Sequence, residues 1–100
     1  MDVNFEYKGV KASSRLEEYT LEKINKLSDR YDFIVRADVF FKMENTSSPD
    51  TGKICALRLS VPGPRMLAEA SHGDFKQSVL EAVNDMERQL KKKKEKMKSY

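Results

Sequence analysis

The sequence predicts an α+β fold. It reads as a β-α-β-β-β-α chain forming a two-layer sandwich, a four-stranded sheet with both helices on one face. Three observations carry this. Residues 2–7 alternate apolar and polar side chains. Residues 14–30 and 75–97 repeat their apolar side chains at helical spacing. Between those stretches lie three more alternating runs, separated by polar or proline-rich turns. With 100 residues, 39% of them hydrophobic, there is material for one core, hence for a single domain over residues 1–100.

Each element follows from its own residues. In residues 2–7, Val3, Phe5 and Tyr7 point one way and Asp2, Asn4 and Glu6 the other, as in a half-buried strand. A loop follows at 8–12. Ser13 and Ser14 are adjacent candidate caps, and Ser14 with Glu17 three residues on fits a capping box better than Ser13 does. From there to about residue 30, Leu16, Tyr19, Thr20, Ile24, Leu27 and Tyr31 fall near one stripe. Residues 34–43 set Ala37, Val39, Phe41 and Met43 against Arg36, Asp38, Phe40 and Lys42. The polar stretch 44–52 (ENTSSPDTG) reads as a mobile loop. Residues 53–61 put Cys55, Leu57, Leu59 and Val61 on one face. Pro62-Gly63-Pro64 is a turn that no strand crosses.

Residues 65–72 then alternate Met66, Ala68 and Ala70 with Leu67, Glu69 and Ser71. Asp74 caps the final helix, whose apolar line is Phe75, Val79, Ala82, Met86 and Leu90. Val79, Met86 and Leu90 are expected against Val39, Phe41, Leu57 and Leu59. A helix from Phe75 to Met97 is about 35 Å long, more than the radius of such a domain, so its last turns are expected to leave the core.

The net charge of +3 conceals a segregation. Residues 88–98 hold Arg88, Lys91, Lys92, Lys93, Lys94, Lys96 and Lys98 against one acid, Glu95, whereas residues 1–87 hold 12 basic and 15 acidic side chains. A concentrated basic block favours a polyanionic partner more than the modest overall charge would. No run approaches the length of a membrane span, the N-terminus lacks the apolar segment of a signal peptide, and a lone cysteine forms no internal disulfide. The expected setting is the reducing cytoplasm.

Catalysis finds little footing. Cys55 sits in a predicted strand on its apolar face, where cysteine serves as a small hydrophobe. His72 lies in a turn. One histidine and one cysteine cannot build a Cys/His zinc site, and the glycines at 9, 52, 63 and 73 are too scattered for a phosphate loop. The reading is a protein that is not an enzyme and needs no cofactor or metal.

Binding is better marked. Arg15, Lys23, Lys26 and Arg30 share one flank of the first helix, beside Glu18, Glu22 and Asp29, and a solvated face with pairs such as Glu22–Lys26 accounts for them equally well. On the last helix, Arg88, Lys92 and Lys96 form one ridge and Lys91, Lys94 and Lys98 another. Glu81, Asp85 and Glu87 lie earlier, within reach of only Arg88 and Lys91, and Lys93 falls on the apolar line. Such a run is often a solvated tail; here it continues an amphipathic helix, which favours polyanion binding. Phe40 is the one aromatic clearly on the outward strand face, so base stacking is weakly supported, and helix-borne Lys and Arg suit phosphate backbones. The apolar line is needed for the core, which leaves little to insert into a membrane.

These residues also resemble a known family. The order of elements, Leu16-Glu17-Glu18-Tyr19 with Lys23-Ile24-Asn25-Lys26-Leu27, Val39-Phe40-Phe41-Lys42-Met43-Glu44-Asn45, and Asp74-Phe75 are similar to the ribosome hibernation-promoting factor family, also called ribosome-associated inhibitor A or sigma-54 modulation proteins. Arg88-Gln89-Leu90 followed by alternating Lys92, Lys94 and Lys96 is the most recognisable piece. The resemblance implies a fold like a double-stranded-RNA-binding domain with an added first strand. It implies binding to the small ribosomal subunit over the decoding region, in the mRNA channel and the tRNA A and P sites, so that translation stops in stationary phase or stress. It implies rRNA contacts from Lys23, Lys26, Arg88, Lys92, Lys94 and Lys96; Lys91 joins them by composition. Ending at Tyr100, the chain resembles the short form, which lacks a C-terminal dimerisation domain, is expected to be monomeric off the ribosome, and in some bacteria acts with a separate ribosome modulation factor. Two rival readings are a protein–protein module whose basic helix docks on an acidic partner, such as a transcription factor subunit, and a generic binder of duplex RNA.

Overall fold

A computed structural model describes residues 1–97. Strand β1 (Asp2–Lys8) leads into helix α1 (Ser14–Arg30), then strands β2 (Arg36–Met43), β3 (Lys53–Ser60) and β4 (Met66–His72), and helix α2 (Phe75–Met97). The sheet order is β1-β2-β3-β4. β1 runs parallel to β2, with Val3 opposite Ala37 and Phe5 opposite Val39, which requires a crossover, and α1 supplies it. The β2–β3 and β3–β4 pairs are antiparallel, with Val39 opposite Leu57 and Leu57 opposite Ala68. Both helices lie on one face, as the alternation predicts.

The core is the inward row of each strand against the apolar stripes of the helices. Ala37, Val39, Phe41, Cys55, Leu57, Leu59, Ala68 and Ala70 meet Leu16, Ile24 and Leu27 of α1 and Val79, Ala82, Val83, Met86 and Leu90 of α2 in one cluster. Phe41 is its aromatic hub. Phe5 and Tyr7 stack on it at centroid distances of 6.3 and 5.4 Å, and Phe75 meets it edge-on at 5.6 Å. β1 is an edge strand, so Val3, Phe5 and Tyr7 are only half buried, as expected.

Four local readings change. The cap of α1 is Ser13, whose Oγ accepts from the Leu16 N–H at 3.3 Å, and Ser14 is the first helical residue. Glu17 is thereby released from the expected capping box and accepts the Tyr7 hydroxyl at 2.6 Å, tying α1 to β1. Met43 is 54% exposed rather than inward, because β2 ends there. Ile54 is buried on the face away from the helices. The 44–52 loop is tied down: the Glu44 N–H donates to Gly52 O at 2.8 Å, and the Gly52 N–H donates to Ser71 Oγ at 2.9 Å. The loop also presses on Gly73, where an added Cβ would stand 2.2 Å from Pro49 O.

Asp74 does cap α2, its Oδ1 accepting from the Lys76 N–H at 3.1 Å. Ser78, buried in the first turns of the helix, donates to Lys53 O at 2.5 Å and pins α2 to the start of β3. No helix among the described residues is long and apolar enough to cross a membrane.

Candidate nucleic-acid interface

The C-terminal half of α2 carries the charge. Leu90 is its last fully buried residue, so the helix leaves the core there, one turn before the lysine run ends. It is still braced. Lys94 Nζ donates to Arg30 O at 3.4 Å and lies 5.5 Å from the centre of the Tyr31 ring. It thus caps one of the orphan carbonyls at the C-terminus of α1, where a cation is also favoured by the helix dipole. Arg30 in turn reaches across to Glu87, Nη1 to Oε1 at 3.1 Å. Glu87, expected to serve its own helix, is spent on α1.

The seven residues expected to meet rRNA are divided among separate hollows. Lys23 and Lys26 lie between the helices beside Arg30 and Glu87. Lys26 pairs with Glu22 at 3.7 Å, and Lys23 sits over the Tyr19 ring at 5.2 Å. Arg88 borders a hollow with His72 and Glu81, which contact one another, and makes a loose pair with Asp85 at 3.5 Å. Lys91 and Lys94 flank Tyr31 and Glu95 at the end of α1. Lys92 and Lys96 face a groove against the β3–β4 turn. Among the described residues, Lys91, Lys92 and Lys96 form no salt bridge. Lys98, placed on the second ridge by its spacing, lies outside the described residues.

Exposed ion pairs such as Glu22–Lys26 and Asp85–Arg88 are worth little and separate readily, so they leave those cations able to bind. Among the described residues Lys23 and Lys94 also lack a carboxylate but are held by the Tyr19 ring and by Arg30 O with the Tyr31 ring, so Lys91, Lys92 and Lys96 are the candidates most available to an anion. Two further basic residues were not singled out from the sequence as binders. Arg65 and Lys93 both line the groove that holds Lys92 and Lys96. Spacing alone put Lys93 on the apolar line and Arg65 in a strand. Only the packing of α2 beside the β3–β4 turn brings them together.

The Cys55 thiol is buried, and burial pushes it up to about 12, so it stays protonated. Among the described residues no group of His, Cys, Asp and Glu could hold a metal ion. Tyr7 is likewise pushed up to about 12, by burial and then by its hydrogen bond to Glu17.

Fold and surface together define a small α+β protein with a cationic helix end presented beyond its core. Comparison with known proteins specifies it further. Residues 3–98 match the family described as sigma 54 modulation protein / S30EA ribosomal protein, and the chain belongs to that family. It is 32% identical over 99 residues to the ribosome hibernation promoting factor of Pseudomonas putida, covering 99% of this chain and 92% of that protein. Its fold is similar to a ribosomal subunit interface protein from Coxiella burnetii, with a TM-score of 0.81 and 26% identity over 94% of this chain and 98% of that one. The N-terminal domain of Protein Y from Thermus thermophilus shares the fold at a TM-score of 0.78 and 17% identity, over 92% of this chain and 98% of that one.

Proposed function

We propose that this protein is a ribosome hibernation factor. It binds the small ribosomal subunit at the decoding region, over the mRNA channel and the tRNA A and P sites, and silences translation. The observation that carries the reading is the group of lysines on the emergent end of α2 that form no salt bridge among the described residues, in a chain whose relatives are named for ribosome hibernation. Basic side chains on a rigid helix make phosphate contacts without reading sequence, which suits a partner recognised by the shape of folded rRNA. Lys23 and Lys26 on α1 line a separate hollow and add a second set of contacts, with Arg30–Glu87 and Lys94–Arg30 linking the two helices.

Sucrose-gradient sedimentation with purified small subunits tests this. The protein is expected to migrate with the subunit at low salt and to be released as salt rises, since each phosphate contact liberates counterions. Excess duplex RNA should compete poorly. Failure to co-migrate at low salt removes the proposal; efficient competition by any long duplex replaces it with generic duplex binding.

A further inference from the structure

Resting on that reading, we infer that the groove between α2 and the β3–β4 turn is a binding site for the backbone of a single RNA strand. The groove, of about 440 Å³, has two unlike walls. One is helical, from Gln89, Lys92, Lys93 and Lys96; the other is the start of β4, from Pro64 to Leu67. Four cations line it, Arg65, Lys92, Lys93 and Lys96, and among the described residues no carboxylate does. That distinguishes it from the hollow at the end of α1, which contains Glu95, and from the one around Arg88, which contains Glu81. Four positive charges without a counter-charge make a strong anion site, because any anion entering meets attraction from both sides.

The turn is shaped for this approach. Gly63 has φ +90°, and a Cβ there would lie 3.5 Å from Lys93 Nζ. Lys93 therefore folds over the turn instead of projecting into solvent, and it is half buried there. Lys92 and Lys96 are separated by one helical turn, a rise of about 6 Å, a spacing suited to neighbouring phosphates on one strand. The groove is not purely ionic. Leu67 is 65% exposed, its side chain on the sheet face away from the helices, and Gln89 Nε2 donates to Leu67 O at 2.9 Å, occupying a carbonyl on the free edge of β4. That bond blocks strand addition at this point. Cations on both walls match a phosphate chain passing between them.

Two measurements on the full chain test the site. The first is small-subunit affinity of the parent and of Arg65→Ala/Lys93→Ala over a range of salt. The double variant is expected to bind roughly tenfold or more weakly, as charged hydrogen bonds are lost. Its log–log salt slope should be shallower by about 1.4, at about 0.7 per single-strand phosphate. Unchanged affinity and slope, with the parent binding normally, overturn the groove and leave the ribosome reading intact. The second is an NMR titration with a short oligouridylate. The amides of Gly63, Arg65, Leu67 and Lys93 should move first, and a methylphosphonate oligomer, whose backbone is uncharged, should leave them unmoved. If the parent fails to bind subunits, the ribosome reading falls and the titration alone decides the groove. Shifts that spare these amides, persist with the neutral backbone, or arise equally with duplex RNA overturn it.

Discussion

Asp38 shows how much one residue can organise on the face away from the helices. It is 3% exposed although it lies on the outward side of β2. Arg36 Nε reaches its Oδ1 at 3.0 Å, and Arg58 Nη2 reaches its Oδ2 at 3.3 Å from the neighbouring strand. Arg58 also rests on the Phe40 ring, 5.2 Å from its centre. Burial acts to raise this carboxyl, and the hydrogen bonds from the two guanidiniums outweigh it, holding the group below the usual carboxylate range. A depressed carboxyl contributes stability that is present above its unfolded value and lost as pH falls through its folded one. Asp38→Asn is therefore expected to cost about 1–3 kcal/mol at pH 7, because the charge is lost and one guanidinium faces an amide NH2 that cannot accept. In urea melts the gap between parent and variant should narrow below about pH 4. A gap of equal size at pH 7 and pH 3 would mean that the ionisation of Asp38 is not what stabilises the fold.

At the scale of the element, the start of α1 separates two serines that composition cannot tell apart. Ser13 Oγ takes an orphan amide of the first turn, whereas Ser14 is already helical. Ser13→Ala should lower stability by about 1 kcal/mol, and Ser14→Ala should stay within about 0.5 kcal/mol of the parent. Equal losses in thermal melts would refute the assignment. The elements themselves were legible because each apolar pattern has one period: Val39, Phe41, Leu57 and Leu59 face inward as alternation requires, and the stripe from Leu16 to Leu27 is buried as helical spacing requires. What spacing could not convey depends on two elements meeting. Asp38 reads as an ordinary outward residue until the β2–β3 register puts Arg58 opposite it. Lys94 reads as a free ridge lysine until α2 is laid beside the last carbonyls of α1. The loop 44–52 reads as mobile from its polar composition, but Ser71 and Gly73, far along the chain, hold it.

Across the whole molecule, stability and charge are kept apart. The buried cluster ends at Leu90, and the basic excess begins at Arg88 and continues past the core. Arg88, Lys92 and Lys96 are all exposed, and among the described residues only Arg88 of the three has an ion pair, a loose one with Asp85. Replacing the three with Glu therefore removes almost no packing. Two small effects oppose each other: relief of repulsion among adjacent lysines favours the helix, while acids near its C-terminus oppose the dipole, each by a few tenths of a kcal/mol up to about 1. The circular-dichroism melt of Arg88→Glu/Lys92→Glu/Lys96→Glu should accordingly stay close to the parent's. Binding should not. Three attractive contacts become repulsive, so subunit affinity should fall sharply, with a flatter salt dependence, and by more than alanine at the same positions produces. If the triple variant keeps the parent's affinity and slope, this ridge is a solvated face only. The rRNA contacts would then belong to Lys23 and Lys26 on α1, where the same reversal should reproduce the loss.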